Sequence, residues 1–260
     1  MVENEFNLKP KKRFSSRVEN YIKYRPSYPQ EIITFLTEKK ILLKSNVIAD
    51  IGSGTGILSE LFLKNSYTVY GVEPNVDMRN AGQKMLSKYP KFVSIKGSAE
   101  DTTLNKNSID IITAGQSFHW FDLKKARIEF LRILKSEGWV ILIWNRRKKR
   151  SNEFLKDYEK LLMKYGTDYI VIEKKKLNYD KFFGVNKSDN KFQKKKFDNS
   201  QEFNFKGLKG RLLSTSYIPL NDHPMFKEMI SDLRKLFKKH QQNRSIRFEY
   251  NTVVIYGQLA

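Results

Sequence analysis

Between residues 47 and 145, short apolar runs alternate with stretches in which apolar residues recur every three or four positions. That alternation is the signature of parallel strands joined by amphipathic helices. It predicts strands at Val47 to Ile51, Thr68 to Glu73, Phe92 to Gly97, Ile109 to Ala114 and Trp139 to Trp144. The helical stretches between them are Ile57 to Lys64, Val76 to Lys88 and Leu123 to Lys135; the last carries Ala126, Phe130, Leu131 and Leu134 and meets a terminator at Gly138. Residues 1–46 read as two helices around "YRPSYP", whose prolines enforce a turn, with Phe35, Leu36, Ile41 and Leu42 too apolar for a free tail. Residues 151–200, lysine-rich and aromatic, read as a mobile loop or insertion. After them come a β-like run through "FNFKGLKGRLLSTS", a helix through "HPMFKEMISDLRKLFKKH" and an alternating strand, "IRFEYNTVVIYGQL". The expected organisation is a helical segment 1–46, a core 47–145, a cap or insertion 146–204, and a part 205–260 that completes the core sheet.

Composition narrows the chemistry. The 260 residues include no cysteine, which excludes a disulfide framework, a thiolate metal site and a cysteine nucleophile; no metal is expected. The apolar stretches are too short to span a bilayer and "MVENEFNLKPKKR" lacks the apolar core of a signal peptide, so a cytoplasmic protein without a membrane partner is expected. The formal charge of +21, from 49 basic and 28 acidic residues, raises nucleic acid as a partner. The basic runs at 9–13, 145–150, 173–177 and 193–197 are scattered, however, which suits a solvated surface better than a polyanion-binding face. Arg146 to Arg150 is the best candidate for a real patch.

The chemistry concentrates at "VIADIGSGTGILSELF", residues 47 to 62, where Gly52, Gly54 and Gly56 follow the first strand. In a parallel sheet a ligand lies beyond the carboxyl ends of the strands, where strand order reverses. A glycine turn there serves both dinucleotide and S-adenosylmethionine sites. The dinucleotide spacing is Gly-x-Gly-x-x-Gly, which offers a helix N-terminus to a pyrophosphate. Here it is Gly-x-Gly-x-Gly with Asp50 just ahead, a carboxylate better suited to the ammonium of a methionine moiety. Glu73, 17 residues after Gly56, can accept from both hydroxyls of a ribose, and Ser98 with the backbone at Ala99 can meet an adenine edge.

"IADIGSGTG", Glu73 in "GVEPN", "GSAED", "IDIITAGQSFHWFD" and "LRILKSEGWVILIWN" together resemble the class I S-adenosylmethionine-dependent methyltransferases, specifically the type-11 small-molecule group that includes trans-aconitate methyltransferase-like enzymes. "FSSRVENYIKYRPSYP" resembles the helical lid of that group, and "GRLLSTSYIP" with "FEYNTVVIYGQL" its final strands; about residues 150 to 200 are unmatched. The resemblance implies an α/β, Rossmann-like fold: a seven-stranded mixed sheet with its last strand antiparallel, helices on both faces and a small cap insertion. It implies Gly52, Gly54 and Gly56 along the methionine part, Glu73 on the ribose and Ser98 with Ala99 at the adenine, Ser98 standing where many members carry aspartate. It also implies Ala114, Gly115 and Gln116 beside the cofactor amino group. Arg25 could pair with the methionine carboxylate. Phe118, Trp120, Tyr24 and Tyr28 could face the sulfonium and shape an acceptor pocket, with His119 as general base toward a hydroxyl. The expected activity is in-line methyl transfer to a small-molecule acceptor. Three alternatives remain: a nucleic-acid methyltransferase, without a cysteine or an Asn/Asp-Pro-Pro-aromatic motif to support it, an NAD-dependent oxidoreductase, which needs a different glycine spacing, and a cofactor-binding module without turnover.

Overall fold

The computed structural model describes residues 17–167, 169, 178–184 and 192–259. The basic runs at 9–13 and 173–177, and the start of the segment compared with a lid, lie outside the described residues. Seven strands, β1 (Val47–Ile51), β2 (Thr68–Val72), β3 (Phe92–Ile95), β4 (Ile109–Gly115), β5 (Leu134–Arg147), β6 (Phe192–Phe203) and β7 (Ile246–Gly257), form one sheet in the order β3-β2-β1-β4-β5-β7-β6. Strands β1 to β5 pair in parallel. Strand β7 runs against β5, because Glu137 pairs with Gln258, Asn145 with Thr252 and Lys148 with Glu249, one index rising as the other falls. Order reverses between β1 and β4, so the ligand crevice of such a sheet lies at their carboxyl ends.

Helices α1 (Val18–Tyr24), α2 (Glu31–Glu38), α3 (Ile57–Leu63), α4 (Val76–Leu86), α5 (Leu123–Ile133), α6 (Glu153–Tyr165), α7 (Tyr179–Phe183), α8 (Phe205–Leu213) and α9 (Phe226–His240) complete the described elements. Side-chain caps start several of them: Asn75 accepts from Met78 N, Asp122 from Lys124 N and Lys125 N, Asn152 from Leu155 N and Asn204 from Gly207 N.

The chain divides into two compact units. A sheet unit holds the described residues of 27–145, 177–197 and 252–260; a helical unit holds those of 1–26, 146–176 and 198–251. Within the sheet unit, consecutive residues point to opposite faces, as strand geometry demands. Ala49, Ile112 and Leu142 join one apolar cluster while Ile48, Ile111 and Ile141 join the other. Burial on both faces is what makes these strands continuous apolar runs. The helical unit has its own core, built from Leu155, Tyr158, Leu162, Leu208, Leu212, Met229, Leu233, Phe248 and Tyr250.

Three expectations need correction. The run through "FNFKGLKGRLLSTS" is not a strand: Asn204 caps α8, and Phe205, Leu208 and Leu212 follow helical spacing. Part of the supposed mobile insertion is α6, whose buried Phe154, Leu155, Tyr158, Leu161, Leu162 and Tyr165 keep a helical period. Another part, residues 192–203, is β6, the edge strand of the sheet. Its exposed Lys194, Lys195 and Lys196 are the charges that keep an open edge from pairing with other chains, and they also make it read as a loop.

Candidate functional site

In the sheet unit, β1 ends at Ile51 and the chain turns through Gly52, Gly54 and Gly56 into α3. Gly52 (φ +68°) and Gly56 (φ +84°) are left-handed, and packing leaves no room for a side chain: a Cβ on Gly52 would come within 2.6 Å of the Ser117 Cβ, and one on Gly56 within 2.4 Å of Leu86. The turn's amides are largely committed. Gly52 and Ser53 donate to the Val72 carbonyl and Gly56 to that of Ser53, at 2.8, 3.1 and 2.9 Å. Gly54 donates to Glu73 Oε2 at 2.8 Å. A loop whose N–H groups are spent internally is not a pyrophosphate cradle. The Thr55 hydroxyl, also in this turn, is buried without a hydrogen-bond partner among the described residues.

Glu73 follows β2, and its other carboxylate oxygen accepts from Asn75 N at 2.8 Å. It is buried and forms no ion pair among the described residues; Arg79 reaches its carbonyl, not its carboxylate. Burial raises its pKa above the ordinary carboxylate value, against the two amide bonds that lower it. Each oxygen keeps a lone pair for a further donor.

Asp50, expected beside an ammonium group, is 1% exposed. Its oxygens accept from the hydroxyls of Ser59 at 2.6 Å and Thr113 at 3.2 Å. Burial pushes its pKa up to about 6, partly offset by those hydrogen bonds. Its carboxylate therefore braces α3 and β4 against β1, a role the sequence reading missed because Thr113 lies 63 positions along the chain and nothing local marks Ser59, nine positions on, as its partner.

At the end of β4, Gly115 leaves room for the Tyr28 hydroxyl, which would lie 2.7 Å from any Cβ there. Gln116, at φ +57°, donates from its backbone to the Ile143 carbonyl at 3.0 Å and from Nε2 to the Asn145 carbonyl at 3.1 Å. Asn145 in turn accepts from Thr252 Oγ1 at 2.5 Å and donates to the Ser27 carbonyl at 3.2 Å. His119 lies in a short 3-10 turn, its ring tilted against Trp120 at 4.6 Å and Trp144 at 5.4 Å between centroids. The Trp144 indole N–H is buried without a partner among the described residues. Neither Trp144 nor Asn145 was singled out from the sequence, although both close the fifth apolar run, at the end where a parallel sheet places ligands.

One expected pocket residue goes elsewhere. Phe118 is fully buried, stacked on Tyr179 with centroids 6.0 Å apart and edge-on to Phe121 and Phe182 at 5.7 and 4.7 Å, so it is core rather than pocket wall. Tyr24 belongs to the helical unit, where its ring occupies the space beside Gly210. Arg25, in the same unit, donates to the Ser214 carbonyl at 2.7 Å. At β3's end the Ser98 amide is bonded to the Asp101 carbonyl at 2.8 Å, its hydroxyl accepts from Glu100 N at 3.3 Å, and Ala99 is buried. No helix among the described residues is long and apolar enough to cross a membrane.

Residues 49–142 match the family described as a methyltransferase domain. A 137-residue stretch, 53% of the chain, is 34% identical to an uncharacterized methyltransferase of Mycobacterium tuberculosis, over 54% of that protein. An uncharacterized methyltransferase of Schizosaccharomyces pombe is 31% identical over 133 residues, 51% of this chain and 52% of the relative. The chain thus spans about half the length of the curated relatives it matches. The fold is shared with a solved protein of Anaeromyxobacter dehalogenans assigned as a type II methyltransferase, at a TM-score of 0.64 and 18% identity, covering 90% of this chain and 98% of that one.

Proposed function

We propose, from the match of residues 49–142 to the methyltransferase-domain family, that the chain transfers a methyl group from S-adenosylmethionine to a small-molecule acceptor. The observation that carries the reading is Glu73, a buried carboxylate held at the end of β2 by the Gly54 and Asn75 amides with lone pairs to spare. A cis-diol of a ribose has the two donors that such a carboxylate accepts. The committed amides of the glycine turn speak against a pyrophosphate and so against a dinucleotide.

S-adenosylmethionine supplies an electrophilic methyl on a sulfonium, so the protein's task is alignment of the acceptor and exclusion of water. Glu73 orients the ribose, Ser98 and Ala99 border the adenine, and Gly52, Gly54, Gly56, Gly115 and Gln116 form the backbone wall along the methionine. The buried Asp50 contributes negative charge behind that wall. Tyr28, Trp120 and Trp144 offer aromatic faces to the sulfonium. His119 accepts the proton when the acceptor is a hydroxyl; a carboxylate acceptor needs no base.

The test is a thermal-shift and calorimetric titration with S-adenosylmethionine, S-adenosylhomocysteine and NAD, followed by transfer of labelled methyl to a metabolite extract. Stabilisation by the first two and label in nuclease-resistant small molecules is the expected outcome. Stabilisation by NAD alone would overturn the cofactor, and label in a nuclease-sensitive product would replace the acceptor with RNA. Replacing His119 with Asn should lower turnover about a hundredfold on a hydroxyl acceptor and flatten the pH profile, with cofactor affinity unchanged.

A further inference from the structure

The helical unit encloses a group of arginines in its aromatic core. Arg147 has an acid: it pairs with Glu159 and donates to the Tyr169 hydroxyl at 3.0 Å. Arg25 and Arg211 have no carboxylate partner among the described residues. Arg211 is 7% exposed, with Nε donating to the Tyr250 hydroxyl at 3.2 Å and Nη1 to the Ser214 hydroxyl at 3.4 Å. Arg25 gives one Nη2 hydrogen to the Ser214 carbonyl at 2.7 Å and its guanidinium lies 4.8 Å over the Tyr21 ring. Arg25 keeps some exposed surface, yet its Nε is shut off from solvent with no partner among the described residues. Each guanidinium has five N–H donors, and among the described residues three hydrogen bonds serve the pair.

The two guanidiniums converge on one serine, and burial acts against the charge of each. Arg25 lies below the usual guanidinium range through burial first and the charge of Arg211 second. For Arg211 burial acts downward too, while the phenols of Tyr250 and Tyr158 act upward and prevail. Phenols are neutral at pH 7, so they supply dipoles there and not a counter-charge. Helix α8 ends beside Ser214, but a helix end carries only about half a negative charge. Arg17 already serves that end, donating to the carbonyls of Leu213 and Ile218 at 3.0 and 2.6 Å. A buried charge without a partner is costly. Arg211 and the Nε side of Arg25 carry that cost with few of their donors bonded among the described residues, and they fit a ligand of opposite sign.

We propose that Arg25 and Arg211, with Ser214 and Tyr250, form a binding site for a small organic anion bearing a carboxylate or phosphate group. Either group matches the planar fork of a guanidinium and can bridge two of them. The site stands on contacts within the helical unit and does not depend on the methyl-transfer reading.

The full chain is titrated calorimetrically with succinate and with inorganic phosphate, each against sodium chloride of equal ionic strength, with and without saturating S-adenosylhomocysteine. Saturable binding of one anion is expected, at least tenfold weaker in Arg211→Gln and with undiminished affinity for S-adenosylhomocysteine in that variant; the anion that binds identifies the group. A rise in wild-type melting temperature with that anion over chloride supports the site even if Arg211→Gln does not fold. Responses equal to chloride, or equal anion affinity in Arg211→Gln, would overturn the proposal. Displacement of the anion by S-adenosylhomocysteine would also overturn it, assigning the pair to the methionine carboxylate. Failure of S-adenosylhomocysteine to bind bears only on the methyl-transfer reading.

Discussion

The two units bury opposite charges. The sheet unit encloses the carboxylates of Asp50 and Glu73, each satisfied by hydroxyls or amides and neither paired with a cation among the described residues. The helical unit encloses the guanidiniums of Arg25 and Arg211, held by a carbonyl, a hydroxyl and a phenol. Uncompensated burial of either sign costs stability unless dipoles or a ligand offset it. In the sheet unit the dipoles are the Ser59 and Thr113 hydroxyls on Asp50 and the Gly54 and Asn75 amides on Glu73. In the helical unit they come from side chains and a helix end far apart in the chain.

Predictions follow this contrast in order of size. Gly56→Ala combines a left-handed backbone with a Cβ 2.4 Å from Leu86, so it should cost roughly 3 to 4 kcal/mol in denaturant unfolding. Asp50 should show itself through pH. Its pKa, about 6 when folded against an ordinary 3.8, is raised, so its contribution is fully present below about pH 4 and is lost as pH rises through 6. The stability difference between wild type and Asp50→Asn should therefore move in favour of wild type by on the order of 3 kcal/mol between pH 7 and pH 4. A difference independent of pH would mean that Asp50 is not buried as described. Glu73→Ala should weaken S-adenosylhomocysteine about a hundredfold by calorimetry, the loss of two charge-assisted bonds, and Glu73→Gln less. In the helical unit, Tyr250→Phe removes the phenol that faces Arg211 and should cost about 1 to 2 kcal/mol. Lys148→Ala, which breaks an exposed pair with Asp198, should leave the denaturant midpoint essentially unmoved, because solvent screens such a pair.

The same contrast explains which parts were legible in advance. Strand β1 and helix α3 begin at the residues expected from hydrophobic period alone, and the glycine turn with Glu73 stands at the end of the strands where such a sheet places ligands. These signals are local: an apolar run, a turn that needs positive φ, a carboxylate at a fixed distance along the chain. Phe118 was misplaced because an aromatic residue in a loop looks the same whether it lines a pocket or fills a core; Tyr179 and Phe182, some sixty residues away, decide which.

Residues 151–213 were misread for a related reason. Strand β6 has the composition of a loop because one edge of it faces solvent, and only its place beside β7 makes it a strand. Helix α8 kept its period but began with "FNF", which mimics a strand until Asn204 is seen to cap it. The sequence by itself determined the βα framework, the glycine turn and the acidic residue that follows β2, because each is written within one strand, turn and helix. Only the tertiary structure decided that Asp50 is a brace, that Phe118 is core, and that Arg25 and Arg211, 186 positions apart in the chain, meet at Ser214. Burial is a property of what packs against a residue, and for these residues the partners come from distant parts of the chain.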